Sequence, residues 1–183
     1  MDNFDGFLQD HASCEKKASG MALNIASHYP DRPDLLSAMA DLAVEELSHY
    51  REVIRLLIAR GIKPGADQRD QYVRALNNLI RQGSEAYLLD RLLVAAIVER
   101  RGSERFGLIA NALASASWAD DRGRETLATF YRAITASESR HWALFVDLAE
   151  QHCQPEDAGA RLAELLDAEA AIMLAQPFRA ALH

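Results

Sequence analysis

What this chain lacks narrows its class before any motif is read. Its two cysteines, Cys14 and Cys153, form no Cys-x-x-Cys pair, so neither a disulfide scaffold nor a four-cysteine metal module is available, and reduced thiols are expected. Glycine and proline are scarce, at 9 and 5 of 183 residues, while Ala, Leu, Arg and Glu abound. That balance points to one compact, mainly helical domain spanning 1–183. The longest apolar run, "LLVAAIV" (Leu92 to Val98), is far too short to cross a bilayer. The opening "MDNFDGFLQD" is acidic and lacks the basic-then-apolar order of a secretory signal, so a cytoplasmic location is expected. Positive charge is in deficit, with 20 Lys and Arg against 27 Asp and Glu, a net −7. Such a surface repels polyanions as a whole, and any nucleic-acid contact must come from a local basic patch.

No alternating, β-branched stretch competes with helical periodicity, so the chain reads as all-α. Helices are expected over about 9–28, 34–60, 67–81, 84–116, 124–152 and 155–175. The breaks between them are "YPDRPD", "GIKPG", Gly83, "WADDRGR" and Pro155, with Ser84 expected to cap the fourth helix. Four helices reach roughly 20 residues, or about 30 Å, and form two hairpins joined by a longer crossover. A four-helix bundle with one crossover helix and an extra C-terminal helix is the economical arrangement.

Two of the long helices carry polar residues where only hydrocarbon belongs. In "VEELSHYREV", Glu46 and His49 share a stripe with Leu35, Met39, Leu42, Val53 and Leu57; "TASESRHWAL" repeats the pattern with Glu138 and His141. Residues i and i+3 project from one face, so each pair offers an oxygen and a nitrogen to one point. A buried carboxylate needs a compensating charge, which a divalent cation supplies, and mixed carboxylate and imidazole ligands suit iron or manganese. With about 13 glutamates and 6 histidines in 183 residues, chance supplies roughly 0.4 Glu-x-x-His pairs per chain. One pair is ordinary; two on apolar stripes, one in each hairpin, form a pattern.

The partner helices are read by height. In an antiparallel hairpin, residues equidistant from the turn lie level. Glu46 falls level with Lys17, and Glu15 is about 3 Å away along the axis, among Ala12, Ala18 and Ala22. Glu138 falls level with Ser103, which selects Glu104, on a stripe with Leu93, Ile97 and Leu108. Glu99 shares a stripe with Leu92 and Phe106 but lies about 7 Å and 140° from Glu104. It is read as a supporting or swinging carboxylate, or as an arginine's partner. The expected metal ligands are therefore Glu15, Glu46, His49, Glu104, Glu138 and His141. Four carboxylates balance two divalent cations, in the manner of ferritin-like di-iron and di-manganese bundles. Glu46 and Glu138, on the helices with two ligands each, are the expected bridging, catalytic carboxylates.

The segments "DHASCEKKASGMALNIASHYPDRPDL", "DLAVEELSHYREVIRLLIARGI", "LLDRLLVAAIVERRGSERFGLIA" and "FYRAITASESRHWALFVDLAEQH" closely resemble the bacterial tRNA hydroxylase family. Those enzymes hydroxylate the isopentenyl group of 2-methylthio-N6-isopentenyladenosine in tRNA. The resemblance implies a ferritin-like fold and a non-haem di-iron centre. It also implies a monooxygenase that uses O2 and two electrons to place one oxygen atom on a methyl carbon. One departure is Ser103, where the internal likeness of "GSERF" to "SCEKK" leads one to expect cysteine. No GxGxxG motif is present, so a separate reductase or ferredoxin is the expected electron source. For the tRNA anticodon loop, Lys16, Lys17, Arg100, Arg101, Arg105, Arg122 and Arg124 are candidate phosphate contacts, with Phe106 or Trp142 to stack on a base. The plain reading of any one of these cations is an ion pair on a solvated helix face, and Trp142 and Phe145 are read as core. His11, His28, His152 and His183 are read as surface or capping groups, and Cys14 as a small filler. A ferritin- or rubrerythrin-like ferroxidase or peroxidase is the competing function, and a metal-free helical interaction module a third.

Overall fold

The computed structural model describes residues 3–115, 121–176 and 181–182; of these, the side chains of 84, 85, 121, 122, 155 and 156 are not described. Six helices are present and no strand occurs among the described residues: α1 (Phe4–His28), α2 (Pro33–Ala59), α3 (Gln71–Asn77), α4 (Ser84–Ser115), α5 (Asp121–His152) and α6 (Pro155–Ala175). The chain divides into two compact units. The first is built on α1, α2 and the segment to residue 69, with Ala181 and Leu182; the second contains α3 to α6.

In the first unit, α1 and α2 form an antiparallel hairpin. Asn3 caps α1 by accepting from the Gly6 amide at 3.0 Å, so the helix starts five residues before the expected Gln9. Pro33 opens α2 with its ring already at a helical φ. The helix ends in a left-handed Gly61 (φ 71°), with Gly61 N–H bonded to Ile58 O and Ile62 N–H to Leu57 O, both at 2.9 Å. Leu35, Met39, Leu42, Val53 and Leu57 are buried along α2, each worth about 1.5–3 kcal/mol of apolar burial. Ser19 Oγ donates to Ala43 O at 2.9 Å and fixes the register of the two helices.

The crossover departs from expectation. Its helix covers only Gln71–Asn77, because the Asp70 carboxylate caps it by accepting from Val73 N–H at 3.1 Å. Asp67, expected to start that helix, lies in the preceding loop instead. There it accepts from Ser13 Oγ at 2.9 Å and pairs with Lys16 Nζ at 2.7 Å, while Lys17 Nζ reaches Gln68 O at 2.7 Å. Two lysines and a serine of α1 thus hold the loop.

In the second unit, α4 and α5 form the other hairpin, which α6 packs against and α3 flanks through α4 and α6. Gly83 (φ 109°) precedes α4, and its carbonyl accepts from Tyr87 N–H at 2.7 Å; the side chain of Ser84 lies outside the described residues. Helix α5 begins at Asp121, three residues before the expected start, and residues 116–120 of the intervening break are outside the description. Two buried carboxylates join the elements. Asp90 of α4, fully buried, receives the Arg81 amide and guanidinium and the Arg161 guanidinium of α6 at 2.8–3.3 Å. Glu169 of α6, also fully buried, accepts from Tyr72 of α3 at 3.0 Å and, through both oxygens, from Arg101 of α4 at 2.9 and 2.7 Å.

Candidate metal centre

Each unit contains a buried group of two glutamates and one histidine. In the first, Glu15 comes from α1, and Glu46 and His49 come from α2. His49 Nδ1 lies 3.4 Å from Glu46 Oε2 and 3.5 Å from Glu15 Oε2. Both carboxylates are buried, and the imidazole keeps a 12% exposed edge. In the second unit, Glu99 comes from α4, and Glu138 and His141 from α5. His141 Nδ1 is 3.7 Å from Glu138 Oε2 and 4.0 Å from Glu99 Oε2, with all three side chains buried. In either triad, one ligand atom from each residue lies within 4.8 Å of the others.

Burial alone would disfavour the ionised Glu15, but the adjacent His11 and His49 rings and the Glu46 carboxyl outweigh it, holding the Glu15 carboxyl well below the ordinary range. His49 shows the converse. Burial disfavours its charged form, yet Glu15 and Glu46 win and raise it to about 10. The polypeptide therefore gathers negative charge here and draws a positive partner.

Five of the six residues selected from sequence lie in these triads; Glu104 does not. Its side chain is 46% exposed against 6% for Glu99, and it pairs with Arg100 at 3.3 Å and with Arg101. The height argument was sound, since Ser103 Oγ donates to Thr135 O at 3.0 Å and meets Ser139 Oγ at 2.7 Å, which brackets Glu138. The facing was wrong. Leu108, one turn beyond Glu104, is 69% exposed, whereas Phe106, on the Glu99 stripe, is 1% exposed. Gly102, one turn beyond Glu99, faces Glu138: a Cβ there would meet Glu138 Oε2 at 3.8 Å. Glu99 thus takes the place expected for Glu104.

His11 is a second correction. Expected at the surface, it is fully buried, with Nε2 2.6 Å from Glu15 Oε1. The i, i+4 spacing of His11 and Glu15 is visible in sequence and was the available signal. His28 is exposed, with Nδ1 2.7 Å from Asn24 O, and does act as a helix-end group. Cys14 and His152 are half-buried, and His183 is outside the described residues.

The candidate phosphate contacts are mostly engaged with protein, as the plain reading of each has it. Lys16 and Lys17 hold the crossover loop. Arg100 pairs with Glu104 and lies over the Trp142 ring at 5.3 Å. Arg101 is bound to Glu169 and Glu104, and Arg105 reaches Met173 Sδ at 3.2 Å with its guanidinium over Tyr72. Arg124 is half-buried, and the side chain of Arg122 is outside the described residues. Phe106 is core, stacked on Tyr131 at 5.6 Å between ring centroids, whereas Trp142 keeps a partly exposed face.

Residues 1–183 match the family described as tRNA-(MS[2]IO[6]A)-hydroxylase (MiaE). The chain belongs to that family. A relative named tRNA 2-(methylsulfanyl)-N(6)-isopentenyladenosine(37) hydroxylase, from Pseudomonas putida, is 33% identical over 170 residues, covering 93% of this chain and 78% of its own. A protein of the same name from Salmonella typhimurium is 32% identical over 140 residues, 76% of this chain and 48% of its own length. Among solved structures, a protein from Synechococcus with aldehyde deformylating oxygenase activity superposes with a TM-score of 0.86 at 34% identity, covering 98% of this chain and 86% of the other. The all-α fold of this hydroxylase family member is ferritin-like, with α3 as the crossover helix and α6 as the additional C-terminal one. No helix among the described residues is long and apolar enough to cross a membrane.

Proposed function

We propose that the chain is a di-iron, O2-dependent monooxygenase that hydroxylates the isopentenyl group of 2-methylthio-N6-isopentenyladenosine in tRNA. In this reading Glu15, Glu46 and His49 are iron ligands, as are Glu99, Glu138 and His141, and residues 1–183 function as one domain. The donor set fits the metal. Four carboxylates neutralise two divalent cations, and oxygen with imidazole nitrogen is the ligand mixture of non-haem iron. The observation that carries the proposal is the pair of buried Glu, Glu, His triads, which supply the donors that the family's reaction needs.

Bound iron supplies the oxygen-activating redox chemistry that side chains lack. The chain's own residues supply the rest. Glu46 and Glu138, each three residues from a histidine on the same helix, would serve as carboxylate ligands beside that histidine. Apolar neighbours such as Leu42, Val53, Phe106 and Phe145 exclude bulk water from the triads. A separate reductase or ferredoxin delivers the electrons, the anticodon loop presents the prenylated adenosine, and the protein works in the cytoplasm.

The deciding experiment incubates the iron-loaded protein with prenylated tRNA, O2 and a reductant, and analyses the nucleosides by mass spectrometry. One added oxygen on the modified adenosine is the expected result. Oxygen consumption with unaltered tRNA would favour ferroxidase or peroxidase chemistry. Deformylation of an aldehyde in a parallel reaction would align the chain with its Synechococcus neighbour.

A further inference from the structure

We infer that His11 is a positioning residue for the metal centre: it holds one oxygen of Glu15 and so turns the other toward Glu46 and His49. The inference rests on the di-iron reading above and goes beyond it, since His11 belongs to no Glu-x-x-His pair. The two oxygens of Glu15 face different groups. Oε1 lies 2.6 Å from His11 Nε2, and Oε2 points toward Glu46 and His49, with His49 Nδ1 at 3.5 Å. An ionised carboxylate only accepts hydrogen bonds, so His11 Nε2 carries the hydrogen and donates it. The ring is fully buried, packed beside Phe7 at 6.0 Å between centroids, and is one helical turn from Glu15 on the same helix. Its direction is therefore set by the backbone of α1, not by a mobile loop.

The consequence is chemical. A glutamate with both oxygens free can chelate one ion or swing between two. With Oε1 engaged by His11, Oε2 is the oxygen turned toward Glu46 and His49, and the carboxylate's orientation is set before metal arrives. Hydrogen-bonding groups behind a metal ligand typically account for about 10- to 100-fold in metal affinity. The other triad's helix has no histidine at the matching place: the residue four positions before Glu99 is Ala95. The two triads are thus unequal, with Glu15 braced by an imidazole of its own helix and Glu99 set 4.0 Å from the histidine of its triad.

The test compares His11→Leu, which removes the donor, with His11→Gln, whose amide nitrogen falls close to the position of Nε2. Iron affinity is measured by competition with a chromophoric chelator, alongside the ligand-field spectrum of the cobalt-substituted protein. His11→Leu is expected to weaken binding about 10- to 100-fold and to alter the cobalt spectrum, and His11→Gln to restore both. Wild-type affinity and spectrum in His11→Leu would overturn the inference, as would equal loss in both variants. Glu15→Ala separates this from the underlying reading: full metal retention there removes Glu15 from the centre altogether, whatever His11 does. Should the leucine variant fail to fold, the zinc-loaded wild-type protein decides by 15N-histidine NMR. A slowly exchanging, low-field Nε2 proton on His11 is expected, and a ring protonated only at Nδ1 would overturn the proposal.

Discussion

Glu99 and Glu104 sit five residues apart on α4 and carry the same side chain, yet their surroundings give them opposite roles. Glu104 shares its charge with two arginines at the surface, and exposed pairs of this kind contribute about 0–1 kcal/mol. Glu99 is buried against His141, where a cation would supply its compensation. Replacing Glu99 by alanine is therefore expected to remove iron, as are Glu46→Ala and His141→Ala, whereas Glu104→Ala keeps about two irons per chain. Metal analysis of the purified variants checks this, and iron retention by Glu99→Ala would return the assignment to zero. Sequence spacing located the level of the second triad but not its member from α4. Two candidates 140° apart both had apolar neighbours on paper, and only packing shows that Leu108 faces water while Phe106 does not. His11 was legible from its spacing to Glu15, but a single i, i+4 pair on one helix does not reveal which face the bundle covers.

Helix α6 is held by charge as much as by hydrocarbon. Burial would push the Asp90 carboxyl up, but hydrogen bonds from Arg81 and Arg161 outweigh it and the net shift is downward. A carboxyl lowered in this way stabilises the folded chain fully above its ordinary value of 3.8, and the contribution disappears as pH falls through the lower folded value. Asp90→Ala should cost about 1–3 kcal/mol, because Arg81 and Arg161 lose a shared buried acceptor while Arg161 keeps Glu164 and Leu79 O. It should also flatten the acid limb of a stability–pH curve, which thermal melts between neutral and strongly acidic pH would show. Tyr72→Phe, which removes one hydrogen bond to Glu169 while Arg101 remains, should cost only about 1 kcal/mol in a denaturant titration. The ends of α2 were readable from Pro33 and Gly61, since each has one dominant physical use. The crossover helix was not, because Asp67 and Asp70 are equally good caps by sequence, and Asp67 is taken by Lys16 and Ser13 of α1.

A net charge of −7 sets a problem for any protein that must hold a polyanion. Arg101 is bound on both sides by Glu169 and Glu104, so it has little left to offer phosphate. Arg101→Ala is expected to lower the melting temperature while leaving the slope of log affinity for tRNA against log salt unchanged, measured by filter binding or anisotropy across a salt series. Each cation that does contact phosphate contributes about −0.7 to −0.9 to that slope, so a change of that size would place Arg101 at the interface. The buried anchors of α6 also bear on protein engineering. Trimming the chain after His152, to leave the bundle helices as a minimal catalyst, would delete Arg161 and Glu169 together. Asp90 would keep Arg81 but lose Arg161, and Arg101 would keep Glu104 but lose Glu169, so each would be left with part of its compensation and the shortened scaffold would be less stable.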